Sequence, residues 1–311
     1  MQKRENAGVI IWRFIYPLLV YLGVEFLIEL VMMIGYIFYA LGKGIVDLTD
    51  LEALSEASVN FIYSYSLYIN IIAAVILVPI FSLFMKRDVK RDKYYGRYTE
   101  YSPYEKKWLW LLPVTGFAAA MGFNHVVPIV FAGLGELISA IGSLFGVEWN
   151  VDFYSGFDQV SQILYSGSVI VQIIASSVAA PLIEEFLFRG LIYKRIRTYL
   201  KTLPSMLISA AVFGIMHGNA IQFLYAFILG MFFAFVYEKF KTIWAPVIFH
   251  AGANFIAVLV ETFMPDGGVG LALGTYALLI VVELSVTFLL LRFIDIKVDR
   301  VPVENESIGE D

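Results

Sequence analysis

Two adjacent carboxylates near the middle of the chain are the first residues that could do chemistry. Glu184 and Glu185 lie in an otherwise apolar stretch, and Arg189 follows Glu185 by four positions. Neighbouring helix positions point about 100° apart, so the two acids are not expected to face one partner. Glu185 should pair with Arg189 on one face, which leaves Glu184 aimed into the bundle. One Glu–Arg pair would indicate an interfacial salt bridge, whereas two consecutive acids favour a chemical role.

Two of the three histidines follow on later apolar segments. His217 closes the stretch that begins at Phe213, and His250 precedes Asn254 by four positions, which places the imidazole and the amide on one helix face. A carboxylate beside an imidazole is the minimal unit for activating water, and two donors on one face suit an oxyanion. Taken singly, each cluster also fits a boundary histidine or a hydrogen bond between helices. Together they indicate a hydrolytic site, because ionisable groups within membrane spans are costly.

The composition indicates the elements that must hold these residues. Of 311 residues, 59% are hydrophobic and only 16% are charged, against about a quarter charged in soluble domains. The apolar runs are long enough to cross a bilayer, which takes about 20 residues per helix. The sequence therefore predicts an all-α, polytopic transmembrane bundle. About eight spans are predicted, at 9–38, 61–85, 108–134, 167–188, 204–218, 221–237, 243–263 and 270–292.

The distribution of basic residues predicts the orientation of the bundle. With a cytoplasmic N-terminus, every Lys and Arg except Lys43 falls at the cytoplasmic ends of the spans, out of 22 in the chain. This bias follows the positive-inside rule, so both termini are predicted to be cytoplasmic. The domains are predicted as N-terminal transmembrane helices over 1–150 with a basic cytoplasmic loop at 86–107, a catalytic helical core over 151–295, and an acidic disordered tail over 296–311.

A hairpin brings the first two clusters towards each other. A turn near Thr202–Leu203, just before Pro204, would set Glu185 opposite Ala220. His217 would then lie within about one helical turn of Glu185 in height. A straight bundle would, however, place His217 deeper from the cytoplasm than His250. Pro181 lacks an N–H and can loosen the helix just before the acids.

The three motifs in this order resemble a known family. Glu-Glu-x-x-x-Arg at 184–189, Phe-x-x-x-His at 213–217 and His-x-x-x-Asn at 250–254 look like those of the CPBP family, the CAAX proteases and bacteriocin-processing enzymes also labelled Abi. The resemblance covers about residues 165–260. It implies that Glu184 is the general base that activates water and that His217 helps to position it. His250 and Asn254 would stabilise the oxyanion, with Glu185 and Arg189 shaping the site.

The resemblance implies a membrane-embedded endopeptidase that cuts a peptide near the cytoplasmic face. The substrate would be a peptide or lipidated peptide, of CAAX type or processed like a bacteriocin, and membrane lipid would surround the site. No nucleic-acid partner is expected. A multi-pass protein of a prokaryotic plasma membrane fits the compact chain, which has no cysteine. No cofactor is expected; zinc is stereochemically possible, but Asn254 is a poor zinc ligand.

Other functions remain open. The same bundle could serve as a non-catalytic regulator or scaffold for a membrane partner such as a sensor kinase, or as a proton-coupled transporter. The chain lacks the His-Glu-x-x-His, Gly-x-Gly-Asp and Gly-x-Ser-Gly motifs of other intramembrane proteases. Four further polar residues within spans are expected to be hydrogen-bonded bundle contacts: Glu25, Glu29, His125 and Glu283. The Phe-rich stretch 223–235 is expected to face lipid or to pack.

Overall fold

The computed structural model describes residues 5–45, 50–103, 105–164, 167–264 and 273–298. Within these ranges the protein is helical and contains no strand. Seven of the helices described there are long and apolar enough to cross a membrane. The predicted all-α, multi-pass membrane architecture is therefore confirmed. The helices are α1 Ala7–Gly42, α2 Leu51–Tyr94, α3 Leu111–Leu144, α4 Ser155–Leu164, α5 Val169–Arg197, α6 Thr202–Ile215, α7 Ala220–Phe240, α8 Trp244–Phe263 and α9 Leu273–Lys297.

Each predicted span corresponds to one helix. Helices α1, α2 and α7 extend past the predicted span at both ends, whereas α6 ends at Ile215, short of the predicted 218. Residues 270–272 of the last predicted span lie outside the described residues. Helix α2 runs for 44 residues, so it takes in the first part of the basic segment 86–107. Asp50 caps its start by accepting a hydrogen bond from the amide of Ala53 at 3.0 Å. Helix α4, with 10 residues, was not predicted, because it is too short and too polar to resemble a span. Helix α9 ends at Lys297, and residues 299–311 of the predicted tail lie outside the described residues.

Helix α5, which carries both adjacent acids, is irregular. Its segments Ile173–Ala179 and Phe186–Tyr193 have π-helical hydrogen bonding, and the α-helical turn Ala180–Glu185 separates them. Pro181 stands at the start of that turn and offers no N–H to the carbonyl four residues earlier. Wider turns of this kind often occur at functional sites. The helix is thus loosened on both sides of the acids.

The hairpin turn between α5 and α6 comes slightly earlier than predicted. It occupies residues 198–201, and α6 begins at Thr202 rather than turning near Thr202–Leu203. The reason is that Pro204 lies in the first turn of a helix, where a missing N–H has no cost. Helix α6 has only 14 residues and is shorter than a full span.

Helices α3 and α8 approach closely because glycines face each other's backbones. A Cβ on Gly252 would lie 2.5 Å from the carbonyl oxygen of Pro113, and one on Gly116 would overlap the carbonyl oxygen of Phe249. Small residues permit such approaches between membrane helices. The predicted domain boundary at residue 150 stays a prediction. Helix α3, which precedes that boundary, packs directly against α8, which follows it.

The basic ends of three helices are joined by buried charges. Asp88 of α2 accepts from Arg13 of α1 at 2.9 Å and from Arg195 of α5 at 2.6 Å. Arg195 also donates to the hydroxyl of Tyr16 at 2.7 Å and to the backbone carbonyl of Arg13. We call Arg13, Asp88 and Arg195 the Asp88 clamp. The clamp fixes the register of α1, α2 and α5 relative to one another.

Candidate functional site

Glu185 and Arg189 form a buried ion pair at the bottom of the site. Both side chains are fully buried, and Arg189 donates to Glu185 at 3.0 Å, as the four-residue spacing predicted. Arg189 also donates to the carbonyl of Gly230 in α7 at 3.0 Å, and its guanidinium lies over the rings of Phe213 and Phe233. The buried carboxylate thus has its countercharge, which a buried ion requires.

His250 of α8 lies between the two carboxylates. Its Nδ1 is 2.9 Å from Glu185, and its Nε2 is 3.7 Å from Glu184. The expectation that the two acids could not face one partner was therefore wrong. An imidazole has a nitrogen on each of two sides, so one ring can approach two carboxylates that point in different directions. Phe233, at a ring separation of 4.4 Å, stacks on the imidazole and holds its plane.

The two carboxylates differ in their access to water. Glu185 has no exposed side-chain surface, whereas Glu184 keeps 24% of its side chain exposed. The carboxylate of Glu185 is anchored by an arginine and an imidazole, so it can orient the ring but cannot reach a substrate. The carboxylate of Glu184 is partly exposed and can reach one. Of the two acids, Glu184 is therefore the one that is suited to accept a proton from water.

His217 lies at the end of α6, near the same aromatic ring as His250. Its Nδ1 is 2.9 Å from the carbonyl of Phe213, so Nδ1 carries the proton and Nε2 is the acceptor of a neutral ring. The Phe213 ring is 4.8 Å from the His217 ring and 6.0 Å from the His250 ring. The concern that His217 would lie far deeper than His250 is thus removed, because both imidazoles contact one phenylalanine.

Asn254 lies one turn beyond His250 and contacts the irregular part of α5. Its Nδ2 donates to the carbonyl of Ser176 at 2.7 Å, and its side chain is half-buried. Ser176 lies in the first π-helical segment. This bond uses one of the two N–H groups of the amide and fixes its plane. The other N–H is the group that could meet an oxyanion.

Sequence reasoning missed Phe233 and Gly230, and it gave Phe213 a place in the Phe-x-x-x-His motif without a role. Phe213 and Phe233 hold both the guanidinium of Arg189 and the imidazole of His250. A Cβ on Gly230 would lie 2.9 Å from the guanidinium of Arg189. Phe233 and Gly230 fall in the stretch that was expected to pack or to face lipid, so packing is confirmed for Phe233. Nothing in the spacing of Phe233 and Gly230 distinguishes them from ordinary core.

A metal site finds no support in the donor set. Among the described residues, no group of three or more His, Asp or Glu side chains is arranged to hold a metal ion. The Nδ1 atoms of His217 and His250 are bonded to the carbonyl of Phe213 and to Glu185, so only the Nε2 atoms of the two rings are available as ligands. A tetrahedral zinc site needs at least three protein ligands. The expectation of a metal-free site and the zinc alternative both stay predictions.

The remaining polar residues of the spans divide into two groups. His125 of α3 and Glu283 of α9 pair at 2.8 Å, as expected of a bundle contact. Glu25 of α1 is half-buried, whereas Glu29 is exposed and is therefore not the bundle contact that was expected. His125 and Glu283 lie outside the three motifs in sequence, and their pair joins α3 to α9.

Comparison with known proteins supports the resemblance seen in the motifs. Residues 166–256 match the family described as "Type II CAAX prenyl endopeptidase Rce1-like", and all six predicted site residues fall in this range. A 94-residue stretch is 33% identical to "Putative membrane peptidase YdiL" of Bacillus subtilis strain 168. The matched stretch is 30% of this chain and 38% of that relative. No solved structure matches. The resemblance to the CAAX protease group is thus confirmed, and a multi-pass protein of the plasma membrane agrees with it.

Proposed function

We propose that the protein is an intramembrane endopeptidase in which Glu184 activates water against a peptide bond near the cytoplasmic face. One observation carries the proposal: the partly exposed carboxylate of Glu184 lies 3.7 Å from an imidazole whose other nitrogen is bonded to a fully buried Glu185. The family match over residues 166–256 supports the same reaction class.

The site residues have two kinds of role in this proposal, proton transfer and stabilisation of the oxyanion. Glu184 accepts a proton from water as the water oxygen bonds to the scissile carbonyl carbon, and the carbonyl becomes an oxyanion. Nε2 of His217, free of its proton, orients the water by accepting its second hydrogen. The oxyanion lies against the free N–H of Asn254 and a protonated Nε2 of His250. Collapse of the oxyanion breaks the C–N bond, and the departing amine takes the proton from Glu184.

The charges of the buried Glu185–Arg189 pair support the proposed role of His250 as a donor to the oxyanion. Glu185 contacts both Arg189 and Nδ1 of His250, so its carboxylate can balance a second cation when the imidazole takes a proton. Preorganised donors of this kind are worth about 10²–10³ in rate for each donor. The substrate is a peptide or a lipidated peptide that reaches the site from the bilayer. The membrane lipid then surrounds the protein, and the substrate enters the site from the lipid phase.

The test is the loss of cleavage in Glu184→Ala. The purified protein in lipid nanodiscs is given a quenched fluorogenic peptide with a farnesylated cysteine in a C-terminal CAAX tail, and the same peptide without the lipid. We expect wild type to cut at least one of them and Glu184→Ala to cut neither. Glu136→Ala, an exposed acid of α3, is the matched control and should cut like wild type.

Cellular peptides extend the test beyond one probe. Membrane peptides are compared between cells with wild type and cells with Glu184→Ala, and we expect full-length precursors to accumulate with the variant. A Glu184→Ala protein that still complements a deletion phenotype would contradict the proposal and favour a scaffold. Proton-coupled uptake of a solute into proteoliposomes would favour a transporter.

A further inference from the structure

The last turns of α2 separate their acids from their lysines. Asp88 and Asp92 are both buried. Asp88 is bonded to Arg13 and Arg195 in the Asp88 clamp, and Asp92 is 3.8 Å from Arg97. Both acids of this segment therefore point into the protein, where cations are their partners.

Three lysines lie on the opposite face of the same turns. Lys86, Lys90 and Lys93 follow one another at spacings of four and three residues, so they form one stripe, about 140–160° around the helix axis from Asp88. All three are exposed. Within the described part of the chain, no carboxylate lies at ion-pair distance from any of them. We call these three residues the lysine stripe.

The lysine stripe continues the side of α2 that faces the acyl chains. Ile72, Val75 and Leu83 lie on the same side of the helix before the stripe begins, and they are 42%, 72% and 55% exposed. Exposed aliphatic side chains in a membrane-spanning helix contact the hydrocarbon of the bilayer. Leu83 is only three residues before Lys86, less than one turn. The surface thus changes from aliphatic to cationic within a single turn.

An exposed tryptophan marks the level of the lipid headgroups beside the stripe. Arg13 of α1 donates to Asp88 at 2.9 Å, so Trp12 lies within about one turn of the height of Asp88. Trp12 is 56% exposed, and tryptophan prefers the interface between acyl chains and water. Lys86 and Lys90 are two residues before and after Asp88, about 3 Å along the axis on each side. Both cations therefore lie at the level of the headgroups.

We infer that the lysine stripe binds the phosphate of an anionic lipid in the leaflet at this end of the bundle. The acyl chains of the lipid lie along the exposed aliphatic side of α2, and its phosphodiester contacts Lys86 and Lys90. Lys93, about 4.5 Å further along the axis, adds attraction within one Debye length of the surface. An acidic protein segment would match the cations but not the aliphatic surface that leads to them. The inference concerns lipid binding and does not depend on the proposed function.

The first experiment measures lipid binding to the purified full chain. Dioleoylphosphatidylglycerol, which is anionic, and dioleoylphosphatidylcholine, which has the same chains and no net charge, are titrated into the protein in detergent. Native mass spectrometry gives the Kd of the first bound lipid. We expect the anionic lipid to bind more tightly than the neutral one. The variant Lys86→Gln with Lys90→Gln and Lys93→Gln should weaken it about tenfold to a hundredfold, since each basic residue near the surface contributes a factor of about five.

The matched control removes the same charge from other places at this end of the bundle. Lys106→Gln with Lys201→Gln and Lys297→Gln changes three exposed lysines that are not on the stripe. It should bind the anionic lipid like wild type. Equal losses in the two triple variants would show a general attraction by positive charge and would overturn the inference. Equal Kd values of wild type for the two lipids would overturn it as well.

Two competitors distinguish the sources of negative charge. Glycerol 1-phosphate offers the phosphate without acyl chains, and a short poly-glutamate peptide represents an acidic protein segment. We expect neither to displace the anionic lipid. Displacement by the peptide that is lost in the stripe variant would assign the stripe to a protein partner and overturn the inference. Displacement by glycerol 1-phosphate would show that the aliphatic side contributes nothing and would also overturn it.

The second experiment measures the depth of the stripe in a bilayer. The natural chain has no cysteine, so Leu83→Cys, Lys86→Cys and Lys90→Cys each carry one nitroxide label. In vesicles of phosphatidylcholine and phosphatidylglycerol, we expect the label in Leu83→Cys to collide mainly with oxygen, which concentrates in the hydrocarbon. The label in Lys90→Cys should collide mainly with a water-soluble nickel chelate, and Lys86→Cys should be intermediate. A label in Leu83→Cys that is already in water, or one in Lys90→Cys that is still in hydrocarbon, would overturn the inference.

Discussion

At the scale of single residues, the site depends on one imidazole between two unlike acids. Glu185 is fully buried and bonded to both Arg189 and His250, so it orients the ring. Glu184 is partly exposed, so it can meet water and substrate. In the proposed mechanism the same side-chain type serves two roles, and only burial and partners separate them. The sequence shows two adjacent acids, and the structure shows which of them is buried.

The first prediction concerns the countercharge of Glu185. Arg189→Met keeps a long side chain and removes the charge, which leaves a buried carboxylate uncompensated. We expect a loss of about 3–5 kcal/mol in the free energy of unfolding, since breaking one side of a buried pair costs this much. Thermal or denaturant unfolding in detergent measures it.

The matched control for Arg189 is an exposed arginine with the same kind of partner. Arg292 donates to Asp295 at 2.7 Å, and 70% of its side chain is exposed. Arg292→Met should change the free energy of unfolding by less than about 1 kcal/mol, the usual value of a surface pair. Equal losses in the two variants would contradict the buried-pair argument.

At the scale of helices, the sequence predicts what local spacing and hydropathy determine. Eight helices coincide with the eight predicted spans, because a long apolar run has few alternatives to a helix in a membrane. The Glu185–Arg189 pair was predictable, since both residues lie on one helix. The approach of His250 to both acids was not, because it depends on how α8 is placed against α5. The π-helical segments and the short α4 also escaped prediction, as neither has a distinctive hydropathy pattern.

The second prediction concerns the contact that places α8. Gly116→Ala would drive a methyl group into the backbone of Phe249, the residue before His250. We expect α3 and α8 to separate, with a loss of about 1–3 kcal/mol from overpacking and a lower kcat for the fluorogenic peptide. Unfolding and cleavage are measured on the same sample.

Gly133 is the control on the same helix. A Cβ there meets nothing within 4 Å, so Gly133→Ala should be neutral or stabilising by up to about 1 kcal/mol through helix propensity. If Gly116→Ala behaved like Gly133→Ala, the close packing of α3 on α8 would not position the site.

At the scale of the whole molecule, buried charges join the N-terminus to the basic ends of other helices. Glu5 accepts hydrogen bonds from Arg91, Arg97 and Tyr199, and its side chain is almost fully buried. The Asp88 clamp lies beside it, because Arg13 is 3.6 Å from Glu5. The segment that precedes α1 is thus bound to α2 and to the turn after α5. The height of α1 against α2 and α5 is maintained at this end.

The third prediction follows from the charge state of Glu5. Burial alone would raise the pKa of this carboxyl group, but hydrogen bonds from Arg97, Tyr199 and Arg91 outweigh it and hold the pKa at about 2 against an ordinary value of 4.5. A lowered folded-state pKa contributes stability above the unfolded value and loses it as the pH falls towards the folded value. We therefore expect the unfolding temperature of wild type to fall between pH 4.5 and pH 2.

The variant Glu5→Gln isolates this contribution. It should be less stable than wild type at pH 7, and the difference should shrink as the pH is lowered from 4.5. Glu105→Gln removes an exposed acid whose partner, Lys107, is also exposed, and it should match wild type at each pH. A difference for Glu5→Gln that stayed constant down to pH 2.5 would show that its hydrogen bonds do not depend on charge.

The last prediction concerns orientation, which decides the side on which a peptide would be cut. All Lys and Arg residues except Lys43 belong to the ends assigned to the cytoplasm, and the positive-inside rule then places Glu184 towards that side. Because the chain has no cysteine, Lys43→Cys and Lys90→Cys each carry one thiol, both at exposed positions. A membrane-impermeant maleimide should label Lys43→Cys in intact cells and Lys90→Cys only after permeabilisation. The reverse pattern would invert the bundle and place the acids at the outer end, where a cytoplasmic tail could not reach them.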